Sequence, residues 1–93
     1  MRNYEIVFII HPDLDEAALT ALVEKVKAWI TDSGGSVEQS DVWGKRRMAY
    51  RIRKQRDGQY VYMIASFAPA FNAELERNLR LTEQVMRFLI TAR

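Results

Sequence analysis

The residues best suited to chemistry in this sequence are cations concentrated near its middle. Residues 45–56, the basic segment, read KRRMAYRIRKQR and hold seven basic and no acidic side chains, a net charge of +7. Residues 1–44 hold three basic and eight acidic residues, a net charge of −5, and residues 57–93 hold four of each. Half of all 14 basic residues therefore lie in this one segment. Charge concentrated in this way creates a strong local field, and its natural partner is a polyanion.

The spacing of these cations suits a row of phosphates. In an extended strand, alternate side chains on one face are about 6.6 Å apart, which lets each reach a separate phosphate. An arginine can also hold phosphate oxygens with two donors at once. This alternation predicts that one face carries Lys45, Arg47, Arg51 and Arg53. The alternative is a solvated edge strand that charge protects from aggregation, although seven cations exceed what edge protection needs.

Other candidate chemical groups have simpler explanations. The absence of cysteine excludes disulfides, iron–sulfur clusters and thiolate zinc sites, and a single histidine, His11, excludes a multi-histidine metal site. Asp13 and Asp15 are explained as helix caps, and Gly34 and Gly35 lack the surroundings of a phosphate loop. We expect no catalytic residue, no metal and no cofactor. No apolar run approaches the roughly 20 residues that span a bilayer, so we expect an intracellular protein without a membrane contact.

Hydrophobic periodicity predicts strands and helices in the order β-α-β-β-α-β. The predicted strands cover 4–10, 37–43 continued by 48–52, 60–67 and 85–91, and the predicted helices contain Leu19–Ile30 and Leu75–Leu79. A change of parity near Gly44 predicts a bulge, Asp57 and Gly58 predict a hairpin turn, and Asn72 is the predicted cap of the second helix. The predicted fold class is α+β, a ferredoxin-like split βαβ domain over residues 1–93 with both helices on one face of a four-stranded antiparallel sheet.

This topology leaves one face of the sheet, the open face, without helices. The side chains predicted to point towards the helices are Tyr4, Ile6, Phe8, Ile10, Val61, Met63, Ala65, Phe67, Met86, Phe88 and Ile90. Those predicted on the open face are Glu5, Val7, Ile9, Tyr60, Tyr62, Ile64, Ser66, Arg87 and Leu89. The reverse parity of each strand stays open because both sets are fairly apolar, and either choice leaves apolar residues on the open face. Apolar and aromatic residues on a bare face indicate a contact surface. Loops could cover it, RNA bases could stack on it, or a protein could bind it. We favour the protein, because residues 57–62 match the signature of RNA-recognition motifs only loosely.

Three segments of the sequence are recognisable: the opening MRNYEIVFIIHPD, the central WGKRRMAYRI and the later LRLTEQVMR. Together they resemble the bacterial small-subunit ribosomal protein S6 family. The resemblance implies a structural protein without catalytic activity, cofactor or small-molecule substrate, located on the ribosome in the cytoplasm. It further implies that the chain binds the central domain of the small-subunit rRNA, in the platform, as a heterodimer with ribosomal protein S18.

The resemblance also assigns candidate site residues. Those carried over for rRNA contact are Arg2, Lys45, Arg46, Arg47, Arg80 and Arg87, to which the charge pattern adds Arg51 and Arg53. Those assigned to the protein-partner interface are Trp43, Tyr50, Tyr60, Tyr62, Ile64 and Leu89. The division between RNA and protein contacts stays open, and Arg87 either touches a phosphate or pairs with Glu5 across the sheet. The family usually has proline where this chain has Arg51, so the restored backbone donor predicts strand pairing further along the segment.

Two other classes of function compete with this interpretation. Small acylphosphatases share the topology, but they need an arginine-bearing phosphate loop after the first strand. Here that segment is HPDLD, whose acidic residues would repel phosphate. The third possibility is a ligand-sensing or dimerising module that uses the open face, which a tight homodimer in the absence of RNA would support.

Overall fold

Four strands and two helices follow the predicted order in a computed structural model that describes residues 1–93. The elements are β1 (Arg2–Ile10), α1 (Glu16–Asp32), β2 (Ser36–Ile52), β3 (Gln55–Phe67), α2 (Phe71–Leu81) and β4 (Val85–Ala92). The strands form one antiparallel sheet in the order β2-β3-β1-β4. The split βαβ fold class is therefore confirmed.

The hydrophobic core lies between the two helices and one face of the sheet. Burial alternates along β1, and Ile6, Phe8 and Ile10 are fully buried, while the residues between them are half-buried on the open face. The core side chains that pack against this strand are Val61, Met63, Ala65 and Phe67 of β3, Leu19, Leu22, Val23, Val26 and Ile30 of α1, and Phe71, Leu75 and Leu79 of α2. The predicted orientations of β1 and β3 are confirmed. Alternation is strict here because a one-residue slip would expose the whole apolar set to water.

The start of β4 departs from the predicted alternation. The pairing of β1 with β4 shifts between Ile9 and Ile10, so that Val85 lies opposite Ile10 and joins the core. Met86, which was expected to point into the core, is buried but lies outside the core cluster. Phe88 and Ile90 pack against the core as predicted. The bulge adds one residue to β4, which shifts the parity of its first positions.

The helix ends agree with the sequence at α1 and differ at α2. Asp15 caps α1, because its Oδ1 accepts a hydrogen bond of 2.8 Å from the backbone N–H of Ala18. At α2 the cap position is Ala70, without a side-chain hydrogen bond, and the prediction of an Asn72 cap is wrong. Asn72 already lies in the first helical turn, since its backbone N–H donates to the carbonyl oxygen of Pro69 at 3.1 Å.

Two adjacent glycines join α1 to β2 for different reasons, which leads to a testable difference. A Cβ on Gly35 would overlap the backbone carbonyl oxygen of Ser66 and lie 2.9 Å from the Cβ of Phe67, whereas a Cβ on Gly34 would meet nothing within 4 Å. Gly34 instead has a φ of +94°. We expect Gly35→Ala to lower the free energy of unfolding by about 3 kcal/mol through overpacking. Gly34→Ala should lower it by about 1 kcal/mol through backbone strain alone. Urea denaturation measures both, and equal losses would contradict the steric explanation.

Candidate nucleic-acid interface

The basic segment spans the end of β2, a tight turn and the start of β3. Regular pairing of β2 with β3 continues to Arg47 opposite Asp57, and it resumes only at Ile52 opposite Gln55. The turn lies at residues 53–54, whose φ values of 51° and 65° have the signs of a type I′ hairpin. The prediction of a turn at Asp57 is therefore wrong, and that residue belongs to β3. The longer pairing expected through Arg51 stays a prediction: β2 extends to Ile52, which pairs with Gln55, but the register is broken between residues 47 and 52.

Gly58 is needed for close approach between strands rather than for a turn. It lies in β3 opposite Arg46, and a Cβ there would collide with Cγ2 of Ile9 from β1. The Sδ of Met48 would lie 3.5 Å from the same Cβ, on the side of the sheet that carries Ile9. Met48 is buried by this packing. The basic segment therefore covers one end of the open face. This agrees in part with the alternative that loops cover that face.

Two arginines fasten the basic segment to β4. From the turn, Arg53 donates hydrogen bonds to the carbonyl oxygens of Glu83, at 2.8 Å, and Val85, at 3.3 Å. From β4, the guanidinium of Arg87 lies 5.3 Å from the ring centroid of Tyr50. These contacts hold the turn at residues 53–54, which is the tip of the β2–β3 ribbon, past the end of β1. The turn also removes Arg53 from the face predicted for it. Lys45 and Arg47 keep the predicted alternation, opposite Gln59 and Asp57, whereas Arg51 lies within the stretch where the register is broken.

The positive charge of the basic segment is not neutralised within the protein. All seven of its cations are exposed, and none of them forms an ion pair with an acidic side chain. Arg47 lies opposite Asp57 in the ladder without forming an ion pair. Because β2 is an edge strand of the sheet, the geometry is compatible both with protection of that edge and with contact to a polyanion.

The other cations predicted for RNA contact are dispersed. Arg87 lies beside the basic segment, as described above. Arg2 begins β1 at the strand's far end, about 25 Å from Ile10 by the rise of a strand. Arg80 lies on α2, where it is 3.7 Å from a carboxylate oxygen of Glu76 and 5.9 Å from the ring centroid of Phe88. The structure thus gathers the cations of the basic segment with Arg87, and it separates Arg2 and Arg80 from them.

A stacked aromatic pair lies on the open face next to the cations. The rings of Trp43 and Tyr62 are nearly parallel, at 13°, with centroids 5.3 Å apart. The guanidinium of Arg46 lies 5.6 Å from the centroid of the Trp43 ring, which is 45% exposed. The bulge predicted at Gly44 is confirmed by its φ of +82° and by the shift in register there. It lies between Trp43 and Arg46 and therefore sets the direction of the strand from one to the other.

Beneath this pair, Glu5 of β1 is paired with Arg93, a residue that sequence reasoning missed. Partial desolvation, followed by the hydrogen bond and negative charge of Glu5, raises the pKa of the Tyr62 hydroxyl above its ordinary value. Glu5 is paired with Arg93, whose Nε lies 3.5 Å from its Oε1, so the alternative pairing of Glu5 with Arg87 is wrong. The backbone N–H of Arg93 donates to the carbonyl oxygen of Asn3. Only the register of β1 with β4 shows that the two charges meet.

The remaining residues predicted for the partner interface differ in accessibility. Tyr60 is half-buried, whereas Tyr50 and Leu89 are exposed, the latter to 64%. Ile64 lies on the open face but is only 8% exposed, opposite Glu5 in β1, so it offers little surface to a partner. A cavity of about 120 Å³ opens on this face, and its lining residues are Val7, Ile9, Arg87, Phe88 and Leu89.

No competing chemical site is present. No three His, Cys, Asp or Glu side chains come together as metal ligands, and neither helix has the length and apolar character needed to cross a membrane. His11 has a local role, because its Nδ1 accepts a hydrogen bond of 3.2 Å from the backbone N–H of Asp13. The loop after β1 is fixed from within, since buried Gln59 donates to the carbonyl oxygens of residues 11, 12 and 14.

Comparison with known proteins identifies the family of the chain and, through it, the class of function. The family model described as Ribosomal protein S6 matches residues 3–92. The chain belongs to the ribosomal protein S6 family. The resemblance found in the sequence is thereby confirmed over nearly its whole length.

Individual relatives agree with this assignment. The chain is 54% identical over 91 residues to small ribosomal subunit protein bS6 of Moorella thermoacetica, covering 98% of this chain and 93% of the relative. It is 47% identical over 90 residues to the bS6 protein of Clostridium novyi, covering 97% and 95%. The crystal structure of 30S ribosomal protein S6 from Thermotoga maritima superposes with a TM-score of 0.93 at 32% identity, covering 99% of this chain and 87% of that one.

Membership of the S6 family settles the coarse function. An S6-family chain is a structural constituent of the small ribosomal subunit, not an enzyme, and it is associated with the ribosome in the bacterial cytoplasm. The acylphosphatase alternative is therefore rejected.

Proposed function

We propose that this S6-family chain binds the central domain of the small-subunit rRNA, in the platform, together with ribosomal protein S18, and that the basic segment makes its main RNA contact. The observation that carries the proposal is the set of seven exposed cations without an acidic partner on one β-ribbon. An RNA backbone supplies the missing negative charge, and its binding releases condensed counterions.

The ribbon's attachment to β4 prepares these cations for binding. Because Arg53 and Arg87 hold the ribbon tip against β4, fewer conformations of the segment must be lost when RNA binds. The side chains of Lys45, Arg47 and Arg51 make no hydrogen bond to the protein, so they are free to reach phosphates. We assign Arg2 and Arg80 to separate RNA contacts, since they lie away from this surface.

The proposed contact with S18 lies on the open face. The cavity beside Leu89 is mostly apolar, with Arg87 as its one charged lining residue. Such a cavity accepts an apolar side chain of a partner, and an exposed leucine next to it adds area that binding removes from water. Tyr50 and Tyr60 supply the neighbouring aromatic surface, and Ile64 supports it from beneath.

The salt dependence of RNA binding tests this proposal. The full chain is titrated with a transcript of the rRNA central domain, with and without S18, over a range of salt concentrations in a filter-binding assay. If four cations of the segment engage phosphates, log K should fall with log salt at a slope near −3. S18 should raise the affinity. A slope near zero would overturn the RNA contact, and an affinity that does not depend on S18 would overturn the joint binding.

A further inference from the structure

We propose that the stacked pair of Trp43 and Tyr62 is a binding site for one unpaired RNA base. The inference rests on the proposed RNA contact of the basic segment and adds a second kind of contact to it. Phosphate contacts hold an RNA in place, whereas an aromatic platform binds the flat face of a base. Sequence reasoning assigned both residues to a protein partner, and the inference replaces that assignment with an RNA contact.

The geometry of the pair suits stacking. Trp43 keeps nearly half of its surface exposed while its ring lies parallel to that of Tyr62. The indole is therefore held in one orientation without being covered. Beneath it, Tyr62 lies in β3 opposite Val7 of the central strand, and the nearby Glu5 is paired with Arg93. A platform ordered in advance loses little conformational entropy when a base stacks on it.

The surrounding charge favours a nucleotide over an apolar protein side chain. Arg46 lies 5.6 Å from the Trp43 ring centroid, and Lys45 and Arg47 follow immediately in the strand. Bases also stack on arginine guanidinium planes, so Arg46 extends the platform. Lys45 and Arg47 alternate to the other side of the same edge strand, where they add positive charge along that edge of the sheet. Of the acidic groups nearby, Glu5 is paired with Arg93, and Asp41, which keeps its charge, accepts a hydrogen bond of 2.6 Å from the neutral amide of Gln39.

The chain contains its own control for this site. Trp29 on α1 also has a cation near its ring, the ammonium of Lys25 at 5.6 Å. Its surroundings are acidic, since Asp32 and Glu74 line the neighbouring cavity. Trp29 therefore offers a tryptophan–cation pair without a run of cations to hold a nucleic acid.

Fluorescence with matched RNA strands tests the inference. The Trp29→Phe variant leaves Trp43 as the single indole, and Trp43→Phe leaves Trp29. Each is titrated with a short oligoadenylate and with an abasic strand of equal length and charge. We expect oligoadenylate to quench Trp43, the abasic strand to leave it unchanged, and neither strand to affect Trp29. Trp43→Leu should weaken oligoadenylate binding about tenfold, and Trp43→Phe should weaken it less, because only phenylalanine retains a ring.

The possible outcomes separate this inference from the proposed function. If both strands bind equally and Trp43 fluorescence does not change, stacking is refuted while the phosphate contact stands. If Trp43→Leu leaves RNA binding intact but weakens the association with S18, the pair belongs to the protein interface and the inference is wrong. If neither strand binds even at low salt, both proposals fail. Circular dichroism of each variant confirms that the fold is retained.

Discussion

Replacement of Lys45 and Arg47 together by glutamate is expected to weaken binding to the rRNA central domain at least about a hundredfold. The double change lowers the net charge of the basic segment from +7 to +3 and places two carboxylates where phosphates would lie, an arrangement that costs several kcal/mol. The slope of log K against log salt should become shallower by about 1.5, since roughly 0.7 is lost for each phosphate contact. Filter binding over a salt series measures both quantities.

Lys45 and Arg47 are the better pair for this test because Arg46 also contacts the Trp43 ring. The matched control is Lys25→Glu with Lys27→Glu, the same change in charge on α1. Surface substitutions of this kind alter stability by about 0.5 kcal/mol or less, so both variants should stay folded. The control should retain affinity within about threefold. Equal losses from both pairs would mean that only total charge matters, and the assignment to the basic segment would be wrong.

The fold could be predicted because its signals are local and agree with one another. Residues of β1 alternate strictly since one face meets the helices, and the apolar positions of α1 recur at helical spacing on its buried side. The bulge at Gly44 was also recognisable, because a change in parity is written in the sequence itself. At α2 the signal misled, since Asn72 is a good cap by type but lies two residues past the cap position, Ala70.

The course of the basic segment could not be predicted, because it depends on contacts between distant strands. Asp57 and Gly58 carry the composition of a hairpin turn, yet the glycine is required by Ile9 of β1. The true turn, at Arg53 and Lys54, has no glycine or asparagine to mark it. Positive φ values are uncommon for such residues, and the hydrogen bonds of Arg53 to β4 stabilise the turn.

In the candidate site, too, local signals could be predicted and contacts between distant strands could not. The excess of positive charge was visible in the sequence, because a local charge sum requires no geometry. The pairing of Trp43 with Tyr62 was not visible, since it depends on the register of β2 with β3, in which Asp41 lies opposite Tyr62. Arg93 was missed for a related reason, as it reaches Glu5 only through the pairing of β4 with β1.

Phe8→Ala is expected to cause one of the largest losses of stability available in the chain. Phe8 is fully buried in the central strand β1, between β3 and β4, and its side chain belongs to the core cluster. Removal of a buried phenylalanine ring costs about 3–5 kcal/mol, against a total stability of about 5–15 kcal/mol for a domain of this kind. The melting temperature should fall by roughly 12–40 °C. Thermal denaturation followed by circular dichroism measures the shift.

Phe88→Ala is the matched control, because Phe88 lies directly opposite Phe8 in β4 but is only half-buried. Part of its ring is already in water, so the loss should be about half as large. The two kinds of variant then separate folding from binding. Phe8→Ala should retain RNA affinity at temperatures where it is folded, whereas the charge-reversed segment should lose affinity with an unchanged melting temperature. If Phe8→Ala lost RNA affinity while still folded, the helix-side core would also shape the RNA contact, and assigning that contact to the exposed cations alone would be wrong.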